Sequence, residues 1–124
     1  MLATAIWLDR VQAKIFYFPR NHRNDEIVRA SHVEHHTHER DSLDIKREER
    51  KLFEIVAKKL KDAEDILIFG PGIAKHHFQN YLVEQHPIEA RKIRICQTMD
   101  HPTEKQLVAF VDTFLRTQNL ASSG

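Results

Sequence analysis

The chain has 124 residues, 19 basic and 18 acidic, for a formal net charge of +1, with 41% hydrophobic and 30% charged residues. That size and balance fit one globular domain able to bury a core without disulfides or a structural metal. They exclude a nucleic-acid binder working through a global positive field, so any anion-binding surface must be local. No apolar run approaches the roughly 18 residues of a membrane span, and the start of the chain meets Asp9 and Arg10 with no basic leader, unlike a signal peptide. Cys96, the single cysteine, has no internal partner and reads as a small buried hydrophobe in a reducing compartment. These features point to the cytoplasm. The nine histidines are the compositional excess; with an ordinary pKa near ~6.5 they add positive charge under mildly acidic conditions.

In chain order, residues 3–8 and 13–18 are rich in Ile, Trp, Phe and Tyr and flank the polar Asp9-Arg10-Val11-Gln12, which predicts an antiparallel hairpin. Pro19 ends it. Residues 26–34 predict a third strand with Ile27 and Val33 as apolar contributors, although the alternation is imperfect. Residues 35–44 hold a single large aliphatic, Leu43, among several turn formers and read as an exposed loop. A helix follows, with Ile45, Leu52, Phe53, Val56 and Leu60 on one stripe and Ser42 or Asp44 as its N-cap.

Residues 65–82 are the centre of the chain. Ile66 to Phe69 form a continuous apolar run suited to a strand buried on both faces. Gly70-Pro71-Gly72 forces a sharp turn, because glycine tolerates positive φ and proline removes a donor. Ala74, Phe78, Tyr81 and Leu82 then mark the buried face of a helix, leaving Lys75, His76, Gln79 and Asn80 mostly outside. Amides at that helix start, with Lys75 and His76, can face an anion. The turn nonetheless lacks both the P-loop pattern and the third glycine of a dinucleotide fingerprint, and a purely structural turn explains it as well.

Pro87 breaks this helix. Residues 90–97 predict a strand centred on Ile93 and Ile95. Pro102, Thr103 and Gln106 then open a last helix with a capping box and an apolar stripe through Leu107, Val108, Val111, Phe114 and Leu115. The stripe stops before residues 119–124, read as a flexible tail after a domain of residues 1–118. Three strands of meander followed by alternating helices and strands predict an α/β domain with a ribonuclease-H-like mixed sheet and helices on its faces.

On these residues the chain resembles a known family. The strand, Gly-Pro-Gly and helix of residues 65–82 are similar to the middle domain of Pelota and of archaeal or eukaryotic class I peptide chain release factors. The helix of residues 46–61 and the opening hairpin around Trp7, Asp9 and residues 13–16 also resemble that group, as does Asp100-His101-Pro102-Thr103. The resemblance runs from about residue 4 to 115 and suggests a small, standalone bacterial translational machinery protein. In release factors the loop before the first helix carries Gly-Gly-Gln, which promotes peptidyl-tRNA ester hydrolysis. Here that loop reads His35-His36-Thr37-His38-Glu39-Arg40-Asp41-Ser42-Leu43-Asp44, so the resemblance carries no hydrolytic role. It implies a non-catalytic adaptor, without a cofactor, whose partner is the ribosome or RNA.

The residues that suit this role are His35, His36, His38, Arg40, Lys46 and Arg47, as phosphate or base contacts, with Lys75 and His76 as a second patch. Glu34, Glu39, Asp41 and Asp44 dilute the field. The same histidine loop supports an alternative, a metal-responsive or protein-interaction module, since imidazole is a common transition-metal ligand. Its spacing matches no recognised zinc motif. A two-metal nuclease needs three converging carboxylates; Asp9 with Glu48 or Glu49 supplies two, and Phe69-Gly70-Pro71 leaves the third place empty. Pairs such as Ser31 with His32, or Cys96 with His101, lack an oxyanion-hole motif, and no residue is assigned a catalytic role. Trp7, Phe16 and Tyr17 suit the core better than an exposed binding edge.

Overall fold

The structure, a computed structural model, describes residues 2–30 and 42–123. Strand β1 (Ala3–Leu8) turns through residues 9–11 into β2 (Gln12–Phe18), and β3 (Glu26–Arg29) returns beside it. Helix α1 (Ser42–Lys58) leads to β4 (Asp65–Gly70), α2 (Ala74–Gln85) and a single turn α3 (Pro87–Ala90), followed by β5 (Ile93–Thr98) and α4 (Glu104–Ser123). The sheet order is β3-β2-β1-β4-β5. The first three strands are antiparallel, and β1, β4 and β5 run parallel. This is the α/β mixed sheet with helices on its faces that the sequence pattern predicts, with α3 as an addition where Pro87 occupies the first turn.

Period-two alternation sorts the core into two layers. Ile6, Leu8, Ile15, Tyr17, Ile66 and Ile68 face α1 and α2, meeting Leu52, Phe53, Val56, Phe78 and Leu82. Ala5, Trp7, Phe16, Leu67 and Phe69 face α4 at Leu107 and Val111. Strand β4 is therefore buried on both sides, as its uninterrupted apolar run requires. Trp7, Phe16 and Tyr17 are all core residues.

The hairpin turn is an Asx turn in which Asp9 Oδ1 accepts from the amides of Val11 (2.9 Å) and Gln12 (3.0 Å). Strand β3 stops at Arg29 instead of reaching residue 34. Arg29 pairs with Gln12, the first residue of β2, and the Ala30 amide donates to Val11 O at 2.7 Å. Residues 31–34 lie outside the described part. Strand β5 likewise begins at Ile93 because Ala90 belongs to α3, its amide donating to His86 O at 3.0 Å. Both Ser42 and Asp44 fall inside the first turn of α1 and not at its N-cap. Helix α4 runs on to Ser123, past the end of its apolar stripe.

The capping box of α4 is formed reciprocally: the Gln106 amide donates to Thr103 Oγ1 at 3.0 Å and the Thr103 amide to Gln106 Oε1 at 2.9 Å. Thr103→Ala is expected to cost about 1 kcal/mol, and Thr103→Ser to retain most of that, both read from urea midpoints.

Glu26 ties β3 to β2 and to the residue just after α1, accepting from Lys59 Nζ at 2.6 Å, Tyr17 Oη at 2.6 Å and Arg23 Nη2 at 2.9 Å. The bonds from Lys59 and then Tyr17 hold its carboxyl below the ordinary 4.5. Because the folded-state value is depressed, its stabilisation is complete above the unfolded-state value and is lost as pH falls through the folded-state one. Glu26→Gln should therefore show a smaller drop in melting temperature than the wild type between about pH 7 and about pH 3. Equal drops in the two proteins would contradict this assignment.

Candidate nucleic-acid interface

Helices α1 and α2 lie side by side on one sheet face, held together by aromatic packing. Phe53 meets Phe78 at 5.2 Å between ring centroids and Tyr81 at 5.6 Å. Above these rings is an open groove of about 390 Å³. Its α1 wall carries Lys46, Arg47 and Arg50, and its α2 wall carries His77 and Asn80, with Glu49 and Glu84 as the acidic members. Three fixed cations thus face two carboxylates over an aromatic floor.

Helical spacing explains the α1 wall. Residues 46 and 50 are one turn apart and 47 lies beside them, so their side chains reach the same surface strip while Phe53 points down. Arg50 holds its guanidinium 5.7 Å from the Tyr81 ring centroid, a cation–π contact that orients it toward the groove. Burial and then Glu54 push the Tyr81 phenol upward, with Arg50 pulling the other way. Glu49 lies 3.4 Å from His77 Nδ1, so one of the two acids is engaged within the groove itself.

The sequence-selected residues divide accordingly. Lys46 and Arg47 share the groove. His76 is exposed but faces β5, its Nδ1 3.9 Å from Cys96 Sγ. Lys75 is 3% exposed, and its ammonium donates to Gly72 O. It braces the turn and is not an exposed phosphate donor, which corrects its place in the second patch. The physical reason is its position: residues 75, 78 and 82 share the buried stripe, so the lysine stem packs inward and its head is satisfied by a carbonyl. His35, His36, His38 and Arg40 lie outside the described residues. Arg50, one turn beyond Lys46 and a phosphate donor by the same sequence argument, joins Lys46 and Arg47; His77, Asn80 and Tyr81 complete the groove, and only the side-by-side arrangement of the helices reveals those three.

The acidic residues considered for nuclease chemistry are otherwise occupied. Asp9 caps the hairpin, and Glu49 contacts His77. Asp65 sits at the start of β4 in an ion pair with Arg94. Among the described residues, no three His, Cys, Asp or Glu side chains gather in a way that could hold a metal ion. Burial pushes the half-buried Cys96 thiol upward, which keeps it protonated near neutrality. Among the described residues, no helix is long and apolar enough to cross a membrane.

The sequence matches no protein-family model and no curated protein. Solved structures do share its fold. Pelota of Archaeoglobus fulgidus superposes with a TM-score of 0.63 at 16% identity, over 90% of this chain and 31% of its own. An archaeal translation termination factor, aRF1, gives a TM-score of 0.59 at 13% identity over 86% of this chain and 32% of its own. Pelota of Thermoplasma acidophilum gives 0.53 at 19% identity over 90% of this chain and 32% of its own. The chain therefore spans about a third of each of these proteins. The ribonuclease-H-like domain described above is the fold of one domain of Pelota and aRF1, in agreement with the resemblance seen in the sequence.

Proposed function

We propose that this domain is a non-catalytic, ribosome- or RNA-associated adaptor in translation, acting in the cytoplasm. Its contact surface is the groove between α1 and α2 together with the histidine-rich stretch that precedes α1. The observation that carries this reading is the convergence of Lys46, Arg47 and Arg50 in one groove above the buried Phe53–Tyr81 pair. The groove lies next in sequence to His35, His36, His38 and Arg40. Clustered cations beside exposed imidazoles suit a single-stranded or looped RNA, since phosphates pair with the charges and unstacked bases stack on the imidazoles. The fold shared with a translation termination factor supports the same reading. The stretch before α1 has no Gly-Gly-Gln, so the adaptor role excludes ester hydrolysis of the release-factor kind.

The test is fluorescence anisotropy with a labelled single-stranded RNA across a salt series. Three phosphate contacts contribute about 2 to the slope of log affinity against log salt on a single strand. Lys46→Ala/Arg47→Ala/Arg50→Ala should lower that slope by about this amount, and replacing His35, His36, His38 and Arg40 by alanine should weaken binding further. Binding that requires added zinc and vanishes with chelator would favour the metal-responsive module instead. Equal slopes in wild type and the α1 variant would remove the groove from the interface.

A further inference from the structure

The opposite face of the sheet carries a second, more enclosed cavity of about 410 Å³, between the β2–β3 edge and the β5–α4 connection. Strand register builds its floor. Trp7 pairs with Lys14 and Lys14 with Ile27, so these three side chains form a row across β1, β2 and β3. Phe16 and Leu107 close the apolar side. His101 stands on the far wall with φ of 39°, a left-handed conformation that turns the chain sharply between β5 and α4 and sets its ring 5.1 Å from Trp7. The indole itself is fixed, because Trp7 Nε1 donates to Met99 O at 2.9 Å.

Lys14 is the unusual member. It is half-buried, and among the described residues the one partner of its ammonium is the Trp7 ring, 5.5 Å away. The carboxylates around the cavity are committed elsewhere or lie near another cation. Asp25 pairs with Arg20 at 2.7 Å, and Glu26 with Lys59 and Arg23. Glu104, at the first turn of α4, adds to the field that stabilises the Arg20 charge. An ammonium with no ion-pair partner among the described residues, beside the rims of the buried Trp7 and Phe16 rings and the exposed Ile27, favours a ligand that brings a negative charge and an apolar ring together.

We propose that this cavity binds a small aromatic carboxylate, its anion on Lys14 Nζ and its ring against Trp7, Phe16 and Ile27. The site is separate from the α1–α2 groove and does not depend on the reading given to that groove. Because Trp7 is the single tryptophan, its emission and its indole N–H resonance report occupancy directly. Benzoate is the probe, with benzamide as the ring without the charge and acetate as the charge without the ring.

For the full chain, benzoate is expected to shift the Trp7 signals saturably, with benzamide and acetate each at least about 10-fold weaker, the size of one charge-assisted contact. Lys14→Met keeps the stem and should lose about 10-fold or more in benzoate affinity, and Lys14→Arg should recover most of it. Ile27 is 51% exposed at the mouth, so Ile27→Phe narrows the entrance with little disturbance of the core and should weaken benzoate while Lys14 stays in place. A non-saturating response, equal binding of benzoate and benzamide, or unchanged affinity in both Lys14→Met and Ile27→Phe would overturn the assignment.

Discussion

Gly70→Ala is expected to destabilise the fold by about 3 kcal/mol or more, lowering the melting temperature by roughly 10 °C, whereas Gly72→Ala two residues later leaves it unchanged or slightly higher. The cause is space. A Cβ on Gly70 would stand 2.2 Å from the backbone oxygen of Leu8, while a Cβ on Gly72 meets nothing within 4 Å. Gly70 ends β4 beside β1 in the parallel pair at the centre of the sheet, and Leu8 O belongs to a strand already fixed on its other side by β2. No flexible side chain can give way, so the strands must separate. Neither glycine has a positive φ. Alanine at residue 72 therefore carries no conformational penalty and reduces unfolded-chain entropy by up to about 1 kcal/mol. Thermal melts of the two variants decide the matter, and equal loss in both would show that the turn demands glycine for another reason.

Phe78→Ala should cost about 3–5 kcal/mol, the range for a large aromatic removed from a packed core. Phe78 is fully buried at 0% exposure and meets both Phe53, at 5.2 Å, and Tyr81, at 6.4 Å with nearly parallel rings. It is the contact that seats α2 against α1 and the sheet. The loss should extend to function: with α2 free to shift, His77 and Asn80 no longer hold their place opposite Lys46 and Arg50. On the proposed RNA-binding role, affinity for RNA should therefore fall even where the variant remains folded. Phe78→Leu restores most of the volume and should cost less than half as much. Unfolding in urea at constant m-value measures both. A loss below about 1 kcal/mol for the alanine variant would contradict this role.

The architecture was legible where one local signal decides it. The apolar run of residues 66–69 stopped by Gly-Pro-Gly, the aromatic hairpin around Asp9 and the Thr103–Gln106 box each form as their pattern dictates. What escaped sequence reading depends on distant partners. The need for glycine at 70 comes from Leu8, far away in the chain, and not from turn conformation. Lys75 shares the buried stripe with Phe78 and Leu82 by spacing, yet its charge argued for exposure; the acceptor that permits burial is the Gly72 carbonyl. His77 and Asn80 come to face the α1 cations because two helices separated by β4 pack side by side. The row Trp7, Lys14 and Ile27 exists through strand register alone.

The most direct measurement of the proposed translational role is co-sedimentation of the purified protein with ribosomes and with total RNA at low and moderate salt. Wild type is compared with Lys46→Ala/Arg47→Ala/Arg50→Ala and with the alanine variant of His35, His36, His38 and Arg40. The proposal predicts pelleting of the wild type that falls as salt rises and is reduced in both variants, with their melting temperatures preserved. Absence of wild-type pelleting at every salt concentration, or pelleting equal in all three proteins, would contradict it.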